Sequence, residues 1–529
     1  MNKLLCTGLK ILLLVFTLNV NAQHKKQHQI TIPVEKNMEW WSGVINHGSL
    51  MPVQNGYKAN LNDNYGNQVQ PMLLSSQGHV IWSEEPFEIS LENEMLNVSS
   101  PDSSLIYFKA GETLNEGFNF AAKNYFPPSG KLPDELLFAA PQYNTWIELM
   151  YDQNQEDILN YARQIIANDF PPGVLMIDDN WQEDYGKWEF HEGRFSNPKM
   201  MIDSLHAMGF KVMLWVCPFV SPDCDIFRSL SDDAMLLTDK LGKPAVVEWW
   251  NGYSAILDLS KTEANQWFKG QLDKLMVKYG IDGFKLDAGD FEHYAECYSG
   301  VEKVIPQEHC ELYARIGLDY PLNEYRAMWK MAGQPIVNRL RDKLHTWDDL
   351  QKLVPDILVQ GIMGYSFACP DMIGGGEFLS FLNTETIDQE LIVRSAQCHA
   401  LMPMMQFSVA PWRILDDEHL AACKKAVEIR EDFVPLILEL AKESAASGEP
   451  IVRPMEYVFP HQGYEKVKNQ FMLGNDILVA PVLEKGAQRQ NVILPKGNWI
   501  DEIGVTYKGG KSVNIEVFLD RLPYFKRVK

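Results

Sequence analysis

Asp282-Gly283-Phe284-Lys285-Leu286-Asp287-Ala288-Gly289-Asp290 reads as a short apolar strand that delivers a carboxylate to its carboxyl end, with a glycine clearing space beside it. In α/β enzymes that end of a strand is where the chemistry sits. The pattern recurs at Val174-Leu175-Met176-Ile177-Asp178-Asp179-Asn180-Trp181, where an aromatic ring of the right shape to stack on a sugar follows the carboxylates. Two acidic strand ends of one barrel converge on one pocket. For either one alone, the bland alternative is a carboxylate that caps the next helix or pairs with a nearby Lys or Arg.

Outward from these strands the chain alternates single strands with helical stretches, which is the pattern of parallel βαβ units. Strands are expected at Thr145 to Leu149, Val174 to Asp178, Lys211 to Val216, Gly283 to Asp287, Pro335 to Arg339, Ile357 to Gly361 and Met404 to Ser408, with a short eighth near Ser366. The expected fold is α/β: a (β/α)8 TIM barrel over residues 136–448, closed by a helix from Asp416 to about Ala446. Before it, residues 23–135 carry short alternating segments such as Gln29 to Val34 and His79 to Trp82 between Asn, Gly and Ser turns, the pattern of an N-terminal β-sandwich. After it, Gln470 to Gly474 and Asp476 to Val482 announce a small C-terminal β-sandwich over residues 449–529.

Residues 1–22 carry Lys3 and Lys10, the apolar run Ile11 to Phe16 and a small-residue stretch ending at Ala22. This is the pattern of a secretory signal too short to span a bilayer, so export to a periplasm or the exterior is expected. With 48 Lys plus Arg against 70 Asp plus Glu, the formal charge of -22 disfavours nucleic acid and anionic membranes as partners. A neutral small molecule fits better, and 14 Trp supply flat apolar surfaces suited to sugars. Oligomeric state is not legible. Seven cysteines remain beyond the leader, widely spaced without zinc-type pairing, and their odd number leaves at least one thiol free. No metal or other cofactor is expected.

Three stretches taken in order resemble glycoside hydrolase family 31, the retaining exo-α-glycosidases. They are Gly283 to Asp290, the block from Trp347-Asp348-Asp349-Leu350 to Cys369-Pro370-Asp371-Met372-Ile373-Gly374-Gly375, and the tail from Arg453-Pro454 through Gln470 to Val482 and on to Trp499. The resemblance covers most of the chain from about residue 140. It implies that Asp287 is the nucleophile and that Asp342, five residues before Trp347, is the acid/base, with Arg341 standing where the family has glycine. Asp348 and Asp349 are rival acids, but they read as the start of a helix. Arg339 matches an arginine that contacts the terminal sugar, and Trp250 matches a pocket tryptophan. Gln406 and Ser408 replace an arginine and a histidine of the family, and Gly375 replaces an aromatic residue.

Retaining hydrolysis needs an ionised carboxylate to attack the anomeric carbon and a protonated carboxyl to serve the leaving oxygen. Lys285 and Arg339 are expected to keep Asp287 ionised, while burial and the neighbouring anion raise Asp342. Lys285 and Asp179 put hydrogen-bonding charge where many α-glucosidases of the family have a tryptophan and an aliphatic residue. Asp178-Asp179 with Lys285 looks like the arrangement with which α-galactosidases of other families grip galactose, where adjacent carboxylates accept from the axial 4-hydroxyl and the 6-hydroxyl. Substrate contacts are therefore expected from Asp178, Asp179, Trp181, Trp250, Lys285 and Arg339. Three rivals stand beside an α-galactosidase. One is the same chemistry on glucose, xylose or a sulfonated glucose, the second a catalytically silent sugar-binding protein, and the third a metal-dependent hydrolase built on Asp178, Asp179 and His399.

Overall fold

The computed structural model describes residues 28–299, 304–383, 385 and 387–528. The leader expected over residues 1–22 lies outside the described residues. Among these, eight short strands make the central sheet: β1 (Gln142–Asn144), β2 (Val174–Ile177), β3 (Lys211–Val216), β4 (Gly283–Leu286), β5 (Asn323–Tyr325), β6 (Asn338–Arg339), β7 (Ala368–Cys369) and β8 (Gln406–Phe407). They pair in parallel in the spatial order β7-β6-β5-β4-β3-β2-β1-β8. At the seam the Ile373 amide donates to the Gln406 carbonyl at 2.8 Å, drawing the two ends of the sheet into a nearly closed barrel. All four residues of β2 are buried, as expected for a parallel strand covered on both faces.

Two expected strands are helical. Thr145 to Leu149 is not a strand, because β1 ends at Asn144, whose side chain accepts from the Trp146 amide and turns the chain into the short helix Trp146–Leu149. Ile357 to Gly361 lies inside the helix Trp347–Ile362, which is buried nearly all round in its second half, so its apolar run carries no period that separates helix from strand. Its start is the one anticipated, with the Thr346 hydroxyl accepting from the Asp349 amide and Asp348 and Asp349 in the first turn. The strand near Ser366 is β7, and β5 had no counterpart in the reading of the sequence. The closing helix runs Asp417–Ser447, capped by Asp416 and ended by Gly448 in the left-handed region.

Two antiparallel sheets precede the barrel. One has the order His28–Pro33, Met95–Ser100, Glu88–Glu92, Lys58–Asn60, and the other is built around Gln68–Ser75. Met328–Trp329, a strand that leaves the barrel just after β5, pairs in parallel with Gln68 and Val69 of the second sheet. The carboxyl-terminal unit is a six-stranded antiparallel sheet beside the hairpin Arg489–Leu494 and Lys511–Glu516, around a core that includes Trp499, Phe525 and Leu478. The seven cysteines from Cys217 to Cys423 are buried, unpaired thiols. No helix among the described residues is long and apolar enough to cross a membrane.

Candidate active site

A parallel barrel sends the carboxyl end of every strand to one rim, and the carboxylates of this chain collect there. Gly283 opens β4 because a Cβ at that position would lie 1.9 Å from the Leu322 carbonyl oxygen of the adjoining β5 segment. Two-residue alternation then places Lys285 and Asp287 on the same face. Ala288 (φ 58°) and Gly289 (φ 76°) turn the chain immediately afterwards, and a Cβ on Gly289 would meet the Tyr313 ring at 2.7 Å.

Asp287 is 8 % exposed and accepts from three donors: the Trp215 indole (3.0 Å), the Ala288 amide (2.9 Å) and Arg326 Nε (3.2 Å). Burial by itself would raise its pKa. The cations Arg326, Lys285 and Arg339, together with the Trp215 N–H, overcome that and hold the carboxyl well below the usual range. Ionisation by Lys285 and Arg339 was expected, but the largest cationic contribution comes from Arg326, which the reading of the sequence missed. Arg326 follows β5, the strand that went unseen, so nothing marked it as a rim residue. Its guanidinium also grips Asp290 through two nitrogens (2.5 and 3.0 Å) and donates to the Gly66 carbonyl (2.9 Å).

Asp342, just beyond β6, lines the same cavity of about 560 Å³ as Asp287. Its pKa is not raised as expected. Burial and the Asp287 charge push it up, but Arg339 Nη1 sits 2.5 Å from Asp342 Oδ1 and, with Lys285, holds the carboxyl below its ordinary value. The raised partner is Asp371, which follows β7 and is fully buried. Burial and the Asp342 anion lift it to about 7, against Arg339 (3.0 Å) and the Lys343 amide (2.8 Å). Two carboxylates that share one guanidinium titrate as a pair. Gly376 passes against both: a Cβ there would lie 2.8 Å from Asp371 Oδ1 and 2.9 Å from Asp342 Oδ1. Asp349, a rival acid, instead accepts from the Leu344 amide and pairs with Lys352.

Asp178, Asp179, Lys285, Arg339 and Trp250 also line the cavity. Lys285 Nζ lies 2.7 Å from Asp178 Oδ2 in an ion pair whose members are both under 6 % exposed. Asp179 is held by Tyr185 and by Asn251 Nδ2 (2.6 Å), and burial beside the Asp178 charge lifts its pKa to about 7. Asn251 and Trp250 form the tip of a hairpin (Val246–Trp249 and Gly252–Ile256) inserted after β3. The half-exposed Trp250 ring lies under the Arg326 guanidinium, 5.4 Å from its centroid.

Trp181 does not join them. It is fully buried, donates to the Trp215 carbonyl at 2.8 Å and packs on Phe190, so it supports β3 from behind and offers no face to a ligand. Gln406 and Ser408 face inward as well. Gln406 Nε2 donates to Glu324 and Gln142, while Ser408 Oγ accepts from the Ile147 amide, so both brace the barrel below the cavity. Glu324, another residue the sequence reading missed, lies under Arg339 at 3.2 Å. His399 is buried in the helix Gln389–Ala400 and lines a separate small hollow, apart from Asp178 and Asp179. Among the described residues no group of three or more His, Cys, Asp or Glu side chains is placed to hold a metal ion.

Comparison with known proteins bears on the fold and on its lineage. Residues 137–341 match the family model described as the glycosyl hydrolases family 31 TIM-barrel domain, and residues 448–528 match that family's C-terminal domain. The myogenesis-regulating glycosidase of Mus musculus is 33 % identical over 429 residues, covering 78 % of this chain and 60 % of that protein. An alpha-xylosidase of Saccharolobus solfataricus is 24 % identical, covering 86 % and 64 %. The chain thus spans between about half and two thirds of the length of the curated relatives it matches. Among solved structures, a Flavobacterium johnsoniae GH31 dextranase complexed with glucose superposes with a TM-score of 0.83 at 19 % identity, over 95 % of this chain and 66 % of that one. Barrel and carboxyl-terminal unit match two models of one family in the order in which that family carries them, and the chain belongs to glycosyl hydrolase family 31.

Proposed function

We propose that this protein is a retaining, exo-acting α-glycoside hydrolase working by double displacement. One observation carries the reading: a carboxylate held ionised by three cations, Asp287, opens into the same cavity as a second carboxyl group, Asp342. Asp287 attacks the anomeric carbon as Asp342 gives its proton to the departing glycosidic oxygen. Water then displaces Asp287 from the covalent glycosyl-enzyme while Asp342 takes the proton back. The proton that Asp342 needs lies close by on Asp371, and the shared Arg339 contact couples the two. The names of the relatives, among them an alpha-glucosidase, an alpha-xylosidase and a sulfoquinovosidase, support an α-glycoside as substrate.

For the terminal sugar we infer galactose. The Asp178–Lys285 pair and the neighbouring Asp179 place acceptors and an ammonium on one wall, which suits an axial 4-hydroxyl and a 6-hydroxyl. Glucose and xylose are the competing sugars, and a panel of 4-nitrophenyl α-glycosides separates the three. Release from the α-galactoside, abolished in Asp287→Ala, is the expected result; faster release from the glucoside or xyloside would replace the sugar and keep the mechanism. The Arg339–Asp342 contact favours one second reading, a sugar-binding protein whose acid is locked as an anion. A mechanism-based cyclitol inhibitor decides between them, because capture on Asp287 followed by turnover belongs to the enzyme alone.

A further inference from the structure

Beyond the Trp250 and Glu292 side chains lies an open groove of about 930 Å³ that shares these two residues with the catalytic cavity. One wall is the strand Val246–Trp249 of the inserted hairpin, and the other is the turn Phe291–Tyr294 with the residues that follow it. Its charged lining is of one sign: Asp239, Glu248, Glu292 and Glu296, with no lysine or arginine. A row of carboxylates is by itself only a solvated face. Here a second feature points to a ligand. The His293 ring lines the groove at 8 % exposure, edge-on to Phe219 and Trp250, and its Nδ1 has no hydrogen-bond partner among the described residues. Burial pushes its pKa down, so it meets a ligand as a neutral imidazole suited to a hydroxyl. The Trp250 indole, 49 % exposed, adds an apolar face at the junction of groove and cavity.

We propose that this groove is an aglycone site that holds a polyhydroxylated, non-anionic leaving part, and that its carboxylates turn away glycosides whose leaving part carries a negative charge. The inference rests on the hydrolase reading above. If Asp178 and Lys285 fix the terminal sugar at the inner end of the cavity, a longer leaving part is led over the Trp250 and Glu292 rim into the groove.

The test compares aryl α-glycosides of one terminal sugar whose aglycones are matched in size and carry an ammonium group, no charge or a carboxylate. At low salt the carboxylate compound is expected to show a kcat/KM about tenfold below the neutral one, with the ammonium compound at or above it, and the gap should narrow as salt screens the groove. Glu248 and Glu296 are exposed and lie outside the catalytic cavity, so E248Q/E296Q should fold, keep the rate on the neutral compound and lose most of the gap. Equal rates on all three aglycones in the unaltered protein, or a gap that survives in the double variant, overturn the proposal while the hydrolase reading stands. No turnover of any of the three overturns both.

Discussion

Asp287 is anionic because of its neighbours, and the burden rests chiefly on Arg326. Replacing Arg326 by Gln removes the nearest cation while leaving Lys285 and Arg339, so the carboxylate should titrate at higher pH. The acid limb of the kcat/KM profile is expected to move up, with a loss of about 10²-fold at neutral pH; an unmoved limb would assign Arg326 to Asp290 alone. The sign is that of a depressed carboxyl: whatever stability Asp287 contributes is present above the ordinary carboxylate range and is lost as pH falls below it. The basic limb belongs to the pair Asp342 and Asp371. With Asp371→Asn only Asp342 titrates, still beside Arg339, and the limb near pH 7 should shift toward acid; persistence at 7 would place the working proton elsewhere. Lys285→Met strands the buried Asp178 charge and is expected to cost about 3–5 kcal/mol in denaturant unfolding, part of it recovered when Asp178→Asn is added.

At the scale of single elements, the sequence was most legible where a strand ends in charge. β4 and β2 could be read because an apolar run of four residues stops at carboxylates, and β3 because Lys211 to Val216 is long enough to show. β5 is Asn323-Glu324-Tyr325, polar side chains pointing into a barrel that satisfies them through Gln406, Arg339 and the Tyr320 carbonyl. No hydrophobic pattern could have announced it, and with it went Arg326. Trp181 failed for another reason: following Asp178-Asp179-Asn180, the ring is one position where stacking on a sugar and packing under β3 look identical until the chain's turn is known. Glycine spacing gives a test at this scale. Gly376→Ala sets a methyl within 3 Å of both Asp342 and Asp371, and turnover is expected to fall at least tenfold with an unchanged melting temperature within a few degrees. Thr346→Ala removes the cap of the helix Trp347–Ile362 and should cost about 1 kcal/mol without altering the pH profile.

Across the whole molecule, the units ahead of and behind the barrel do more than decorate it. Asn64, on the loop between the two N-terminal sheets, donates to Asp290 at 2.7 Å, and Gly66 accepts from Arg326, so the support of the nucleophile is completed from outside the barrel. Asn64→Ala is therefore expected to lower kcat severalfold while leaving KM little changed, whereas a purely structural Asn64 would affect only the melting temperature. The seven thiols are buried and unpaired, so reductant should leave the unfolding midpoint where it is. The strand Met328–Trp329 is threaded back into the sheet of Gln68–Ser75, so chain from the middle of the catalytic unit is hydrogen-bonded into its neighbour. A protease that cuts the connection ahead of β1 would thus yield two fragments that stay clasped, neither able to leave without unzipping the other, and the nicked protein should run on a sizing column as though it were still whole.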